Sequence, residues 1–143
     1  MNPYADTSFL ASLYLTDGNT PQAIASLQAL DDALPVTEFH LLELQNALSL
    51  ALFQKRITED QSLQAWQDVQ NDLGNGRLIP CSLNWQAAFR LAQDLAKTET
   101  PSIGARSLDV LHVAGALLMG AGDFLTFDVR QRSLAIKAGL NVS

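Results

Sequence analysis

Asp6, Glu43, Asp109 and Asp128 are the residues of this sequence whose types and positions point most directly to chemistry. Asp6 ends the short segment Asn2–Ala5, and Asp128 ends the apolar run Phe124–Phe127. Glu43 is the one charged residue inside the apolar stretch Phe39–Phe53, with no lysine or arginine between it and Lys55. Asp109 falls in the first turn of a helix expected to begin at Ser107. Burying a carboxylate costs several kcal/mol unless a cation or donors meet it. Gathering three or four together raises the proton affinity of each. A shared Mg²⁺ or Mn²⁺ removes that conflict, since both ions favour hard oxygen ligands and magnesium keeps waters that can act on a substrate. Two such ions ~3.5–4 Å apart, or one with a positioned water, support in-line phosphodiester hydrolysis.

Each acid also has a plainer role. Asp6 and Asp128 could be turn formers or helix caps. Asp109 could do no more than favour the helix dipole, worth ~0.3–1 kcal/mol. Glu43 could reach solvent along its own stem. The convergence of all four is what the metal reading requires.

The elements that must position them follow from periodicity and punctuation. Asn2–Ala5 reads as a strand. Phe9, Leu10, Leu13 and Tyr14 recur at helical spacing after Thr7, up to Asp17-Gly18-Asn19. Thr20-Pro21 reads as an N-cap and first helical position, opening a helix to about Ala29. Ala33–Val36 suits a strand, and Thr37 caps a helix to about Phe53 whose apolar residues on most sides predict deep burial. Thr58-x-x-Gln61 is a capping box, and Gly74-Asn75-Gly76 stops its helix. Leu78–Cys81 is a second such strand. Ser82 is expected to cap a helix to Ala96, with Ser102–Arg106 as loop. Ser107 opens a helix to Met119, closed by Gly120 and Gly122. Asp123–Asp128 is a strand, Val129–Ala138 a helix stopped at Gly139, and Leu140–Val142 an edge strand. Short apolar strands alternating with helices imply a parallel sheet covered on both faces. In such sheets, sites lie beyond the carboxyl ends of the strands. That rule favours Asp128 over Asp123, which precedes its strand.

Composition limits the remaining choices. At 143 residues and 48% hydrophobic content, the sequence suggests one domain with a real core. Its longest apolar stretch, Val110–Met119, is broken by His112 and falls short of the ~20 residues of a membrane span. The first residues show no basic-then-apolar pattern, so no secretory signal is expected. A single cysteine, Cys81, excludes an intrachain disulfide or a cysteine-built zinc site and is expected in the core. These features predict a cytoplasmic protein. The net charge of −6 argues against simple electrostatic coating of nucleic acid. The basic residues are concentrated late, however: six of the nine lie in residues 90–143.

Several blocks in order resemble the PIN domain, most closely the VapC-type toxins of toxin–antitoxin pairs. They are Tyr4-Ala5-Asp6-Thr7-Ser8-Phe9-Leu10, Thr37-x5-Glu43-Leu44-x2-Ala47-Leu48, Arg106-Ser107-Leu108-Asp109-Val110-Leu111-His112-Val113-Ala114, Phe124-Leu125-Thr126-Phe127-Asp128-x2-Gln131 and Ala135-x3-Gly139-Leu140. The likeness spans nearly the whole chain. It implies a three-layer α/β/α fold with a small central parallel sheet of four to five short strands, as a single PIN-like domain over residues 1–143. It also implies a Mg²⁺- or Mn²⁺-dependent endoribonuclease, usually a homodimer, neutralised by a small antitoxin protein. Asp6, Glu43, Asp109 and Asp128 would hold the metal. Thr7 or Ser8 would contact metal-bound water or phosphate, and Thr126 would fix the geometry around Asp128. Arg106, Arg130 and Arg132 flank that site and could hold RNA phosphates.

Other readings stay in play. Asp109 with His112, or His40 with Glu43, has the i, i+3 spacing of metal-binding helical bundles, though a hydrogen-bonded core role for His112 is the simpler expectation. Trp66 and Trp85 fit core or dimer contacts. A PIN-like module that binds or regulates without cutting is the alternative function. DNA cleavage ranks lower, because 143 residues leave no room for long substrate-holding insertions.

Overall fold

A computed structural model describes residues 2–142. Among these, seven helices separate five strands, singly or in pairs: β1 (Pro3–Ala5), α1 (Thr7–Tyr14), α2 (Thr20–Leu30), β2 (Leu34–Val36), α3 (Glu38–Phe53), α4 (Glu59–Gly74), β3 (Leu78–Pro80), α5 (Trp85–Ile103), α6 (Ser107–Met119), β4 (Asp123–Leu125), α7 (Val129–Lys137) and β5 (Asn141–Val142). All strand pairs are parallel, as alternation with helices requires. Hydrogen bonding groups the strands as β1-β4-β5 and β2-β3. The chain forms two compact units, one from residues up to Asp6 together with those from Ser82 onward, the other Thr7–Cys81. No helix is long and apolar enough to cross a membrane among the described residues.

In the first unit, β4 is central, with Tyr4 opposite Phe124 in β1 and Asp123 opposite Asn141 in β5. Tyr4 stacks on Phe124 with ring centroids 5.5 Å apart and meets His112 edge-on at 5.8 Å. Both stacked rings are fully buried with Val110, Val113, Ala116, Leu134 and Ala135 from α6 and α7. The buried Tyr4 hydroxyl and His112 Nδ1 are 2.8 Å apart, which gives His112 the core role expected of it. Gly115 lets α6 approach this ring: a Cβ there would lie 3.2 Å from the Tyr4 hydroxyl and 3.3 Å from Leu83 Cδ1. A stacked, hydrogen-bonded ring has little room to yield. Gly115→Ala is therefore expected to lower stability by about 1–2 kcal/mol despite alanine's better helix propensity, measured as a lower denaturant midpoint at unchanged m.

α5 differs from expectation at both ends. Asn84, not Ser82, caps it, its Oδ1 accepting from the Ala87 N–H at 3.1 Å. The helix then runs past Ala96 through Pro101 to Ile103, and ends where Gly104 takes a left-handed φ of 73°. Proline removes one donor at position 101 and does not forbid a further turn. Gly120 closes α6 in the same left-handed way, as predicted.

In the second unit, β2 pairs with β3 in the register Leu34–Leu78 to Val36–Pro80. Thr37 and Thr58 cap α3 and α4 through capping boxes, the first completed by His40, whose Nδ1 lies 3.0 Å from the Thr37 N–H. Thr20 is the first helical residue of α2 rather than its cap; Asn19 takes that place, and the Thr20 hydroxyl donates instead to the Ser12 carbonyl at 2.6 Å. α3 is not deeply buried. His40, Leu44, Leu48 and Ala51 face inward, while Leu42 (69%), Leu50 (46%) and Phe53 (82%) are exposed. An apolar residue on every side of a helix says nothing about which stripe the core will take. Cys81 is only half-buried, with its thiol near the Ile79 carbonyl.

Candidate functional site

The β1 and β4 strands run in parallel, so Asp6 and Thr126 leave the sheet at the same edge. The Asp6 N–H continues the ladder by donating to the Leu125 carbonyl at 3.0 Å. That bond places the Asp6 carboxylate beside Thr126, whose hydroxyl donates to Asp6 Oδ2 at 2.5 Å. The same hydroxyl oxygen accepts the Asp128 N–H at 3.0 Å. One threonine therefore fixes both the Asp6 carboxylate and the backbone that carries Asp128. Sequence reasoning gave Thr126 the second task and missed the first. Asp6 is 3% exposed and Thr126 6%, so this junction is closed to bulk water. A buried carboxylate is tolerated where a donor such as this hydroxyl meets it.

Asp128 takes the helix-cap role that sequence reasoning kept as its plainer one. Its Oδ1 accepts the Gln131 N–H at 3.0 Å and caps α7, while Oδ2 is turned toward Arg106. Asp109, at the third position of α6, reaches back to the Arg106 N–H at 3.4 Å. The Arg106 side chain then spans the pair: Nε lies 3.3 Å from Asp109 Oδ2, and Nη2 lies 3.7 Å from Asp128 Oδ2. This contact was not anticipated, although the N-cap-to-third-residue spacing of Arg106-Ser107-Leu108-Asp109 was visible. Asp123 starts β4 opposite Pro3, at the edge away from Asp6 and Thr126, as expected. Arg130 and Arg132 are exposed on either side of the buried Gln131 in α7.

In the second unit, Thr7 opens α1, and its hydroxyl donates to Glu43 Oε1 at 2.5 Å. Glu43 is partly rather than fully buried, so the cost of its charge is lower than the apolar run around it suggested. Ser8, also partly buried, follows in the first turn of α1. A groove of about 630 Å³ lies elsewhere in this unit, with Leu27, Leu34 and Leu78 on its walls and Asp31, Asp72 and Arg77 among its polar residues. It contains none of the four acids. Burial pushes the Tyr14 phenol there well above its ordinary range, and the hydrogen bond to Asp72 Oδ2 at 2.7 Å adds to the effect. The phenol is thus a structural donor.

The donors that the sequence singled out are carboxylate and hydroxyl oxygens, which suit a hard divalent ion and no soft one. Among the described residues, no three His, Cys, Asp or Glu side chains are drawn together closely enough to hold a metal as they stand. A cation nevertheless already stands between two of the acids: the Arg106 guanidinium faces one oxygen of Asp109 and one of Asp128. The donor chemistry fits magnesium or manganese, with Arg106 in the position of a stand-in. His112 and His40 are buried, with Nδ1 engaged by Tyr4 and Thr37 respectively, as hydrogen-bonded core histidines are.

No family model matches the sequence, and no curated protein matches it. Solved structures do resemble the fold. FitAcB from Neisseria gonorrhoeae aligns with a TM-score of 0.62 at 18% identity, over 98% of this chain and 95% of that one. VapBC2 from Rickettsia felis, solved bound to a DNA fragment from its promoter, aligns at 0.67 and 16% identity over 100% and 98%. VapC20 from Mycobacterium tuberculosis, described as a toxin that cleaves the sarcin-ricin loop, aligns at 0.63 and 17% identity over 97% and 96%. Parallel strand pairs flanked by helices, a likeness covering essentially the whole chain, and acids at the carboxyl ends of β1 and β4 together identify the fold as that of the PIN domains, an α/β/α fold shared with VapC- and FitB-type proteins.

Proposed function

We propose that this protein is a Mg²⁺- or Mn²⁺-dependent endoribonuclease and the toxin of a toxin–antitoxin pair. The observation that carries the reading is the buried Asp6 carboxylate held by Thr126 at the end of two parallel strands, with Asp128 anchored by the same hydroxyl. Residues 1–143 would then act as one PIN-like domain, with Asp6, Glu43, Asp109 and Asp128 as the ligand set. The bound ion would supply charge neutralisation at the phosphodiester and a water of lowered pKa. The remaining work falls to the chain itself. Thr126 keeps Asp6 and Asp128 in fixed orientation, and Thr7 does the same for Glu43. Ser8 is a further hydroxyl within reach of the α1 N-terminus. Arg130 and Arg132, exposed on α7, would take RNA phosphates, which position a substrate without reading its bases.

The decisive experiment is incubation of total RNA with the purified protein in magnesium. Cleavage is expected, and excess EDTA is expected to abolish it; cleavage that persists in EDTA would remove the metal from the mechanism. The likeness to VapBC2 and FitAcB supports an antitoxin partner, and a cytoplasmic setting is proposed with it. That part stands or falls on whether the product of an adjoining small reading frame quenches cleavage on co-expression. Exposed Leu42 and Phe53 on α3 and Leu63 on α4 favour a homodimer, which sedimentation velocity would refute by returning a monomer. A second reading has one observation in its favour. Arg106 already neutralises Asp109 and Asp128, as it would in a catalytically silent PIN-like module. Calorimetry showing no uptake of Mn²⁺ would select it.

A further inference from the structure

Arg106 stands where its chemistry opposes the role given to its neighbours. Its backbone N–H and its Nε both reach Asp109 Oδ2, at 3.4 and 3.3 Å, and its Nη2 lies 3.7 Å from Asp128 Oδ2. The other Asp128 oxygen is engaged by the α7 backbone through Gln131. On Asp128, the oxygen facing Arg106 is thus the one the α7 backbone does not hold, while on Asp109 both Arg106 contacts fall on Oδ2. Burial is unequal across the contact. The Asp109 and Asp128 side chains are 15% and 31% exposed, and the arginine side chain is 72% exposed. The acids are set in the protein, and the cation over them is on a long solvated arm. An arm of that kind is weakly held, because exposed pairs are screened and lose side-chain freedom when they form.

We propose that Arg106 is a displaceable internal counter-ion. It keeps Asp109 and Asp128 close and neutralised in the unloaded protein, and it competes with a divalent cation for the same two oxygens. The inference rests on the metal-site reading above and goes beyond it in assigning Arg106 to the unloaded state rather than to RNA alone. The physical reason is mutual exclusion: a guanidinium and a dication cannot occupy the same space between two carboxylates without strong repulsion. Arg106 therefore lowers divalent affinity while preventing the acids from repelling one another before loading. The released guanidinium is a fork suited to two phosphate oxygens, so its displacement leaves a phosphate-binding group beside the loaded acids.

The test is Mn²⁺ titration calorimetry on the full chain, comparing wild type, Arg106→Met, Arg106→Lys and the exposed control Lys97→Met. Arg106→Met is expected to bind Mn²⁺ roughly three- to tenfold more tightly than wild type, as loss of a competing cation from two partly screened pairs implies. Arg106→Lys should return to within about twofold of wild type, because it restores the charge that competes. Lys97→Met should match wild type, which separates local competition from the overall change in net charge. Equal or weaker binding by Arg106→Met, with wild type still binding, overturns the counter-ion and leaves the metal site standing. Absence of Mn²⁺ binding in every variant removes both. If circular dichroism shows that Arg106→Met does not fold, Arg106→Gln carries the comparison with the same outcomes.

Discussion

Asp6→Asn should reduce metal-dependent RNA cleavage by on the order of 10³-fold while leaving the protein folded. The substitution keeps the size of the side chain and a carbonyl oxygen able to accept from Thr126, whose hydroxyl is 2.5 Å from Asp6 Oδ2. It removes a negative charge from a residue only 3% exposed. Packing is therefore conserved and the electrostatic role is deleted. Two measurements separate this result from misfolding. Total-RNA cleavage at fixed Mg²⁺ reports activity. The thermal midpoint with and without Mn²⁺ reports ligand linkage: an ion present at 100 times its Kd stabilises wild type by about 2.7 kcal/mol, and this increment should vanish in Asp6→Asn. Without metal, the variant should melt no lower than wild type, since a buried carboxylate is costly and a buried amide less so. Undiminished cleavage in Asp6→Asn would place the active site elsewhere.

Thr126→Val is expected to have the second largest effect, and its signature is different. Valine matches threonine in shape but can neither donate to Asp6 nor accept the Asp128 N–H, at 2.5 and 3.0 Å in the native protein. Losing a donor to a buried carboxylate costs about 1–3 kcal/mol, so chemical denaturation should show a clear loss of stability. Cleavage should fall by roughly 10–100-fold, the usual cost of removing a group that orients a ligand instead of supplying one. Thr126→Ser keeps the hydroxyl and should recover most of both. Stability loss without loss of cleavage would make Thr126 a purely structural tie and separate it from the site.

The order of helices and parallel strands could be read from the chain because local physics controls it. Thr37 and Thr58 cap their helices through three-residue spacings that any chain would display. Gly120 ends α6 because a left-handed residue is needed there. Asp6 and Asp128 follow from the same logic, as residues that leave the sheet at its carboxyl edge. The errors arose where competing local signals were close in strength. Ser82 and Asn84 are both good caps two residues apart, and the chain used the second. Thr20 lost its capping role because its hydroxyl found the Ser12 carbonyl.

Side-chain partnership was not legible in that way. Thr126 to Asp6 spans 120 residues and Thr7 to Glu43 spans 36, and no local pattern encodes either bond. The exposed face of α3 was equally hidden, because burial is decided by which stripe the neighbouring elements cover. The sequence by itself determined the types of donor, the helix and strand order, and that Asp6 and Asp128 follow β1 and β4, although β4 stops at Leu125 and not at Asp128 as expected. These depend on spacing, capping and turn chemistry within a few residues. Only tertiary structure decided that one threonine serves both Asp6 and Asp128, and that Arg106 lies over two acids rather than pointing away. Those facts depend on where distant backbone segments stop relative to one another, which is set by packing of the whole chain and by no single segment of it.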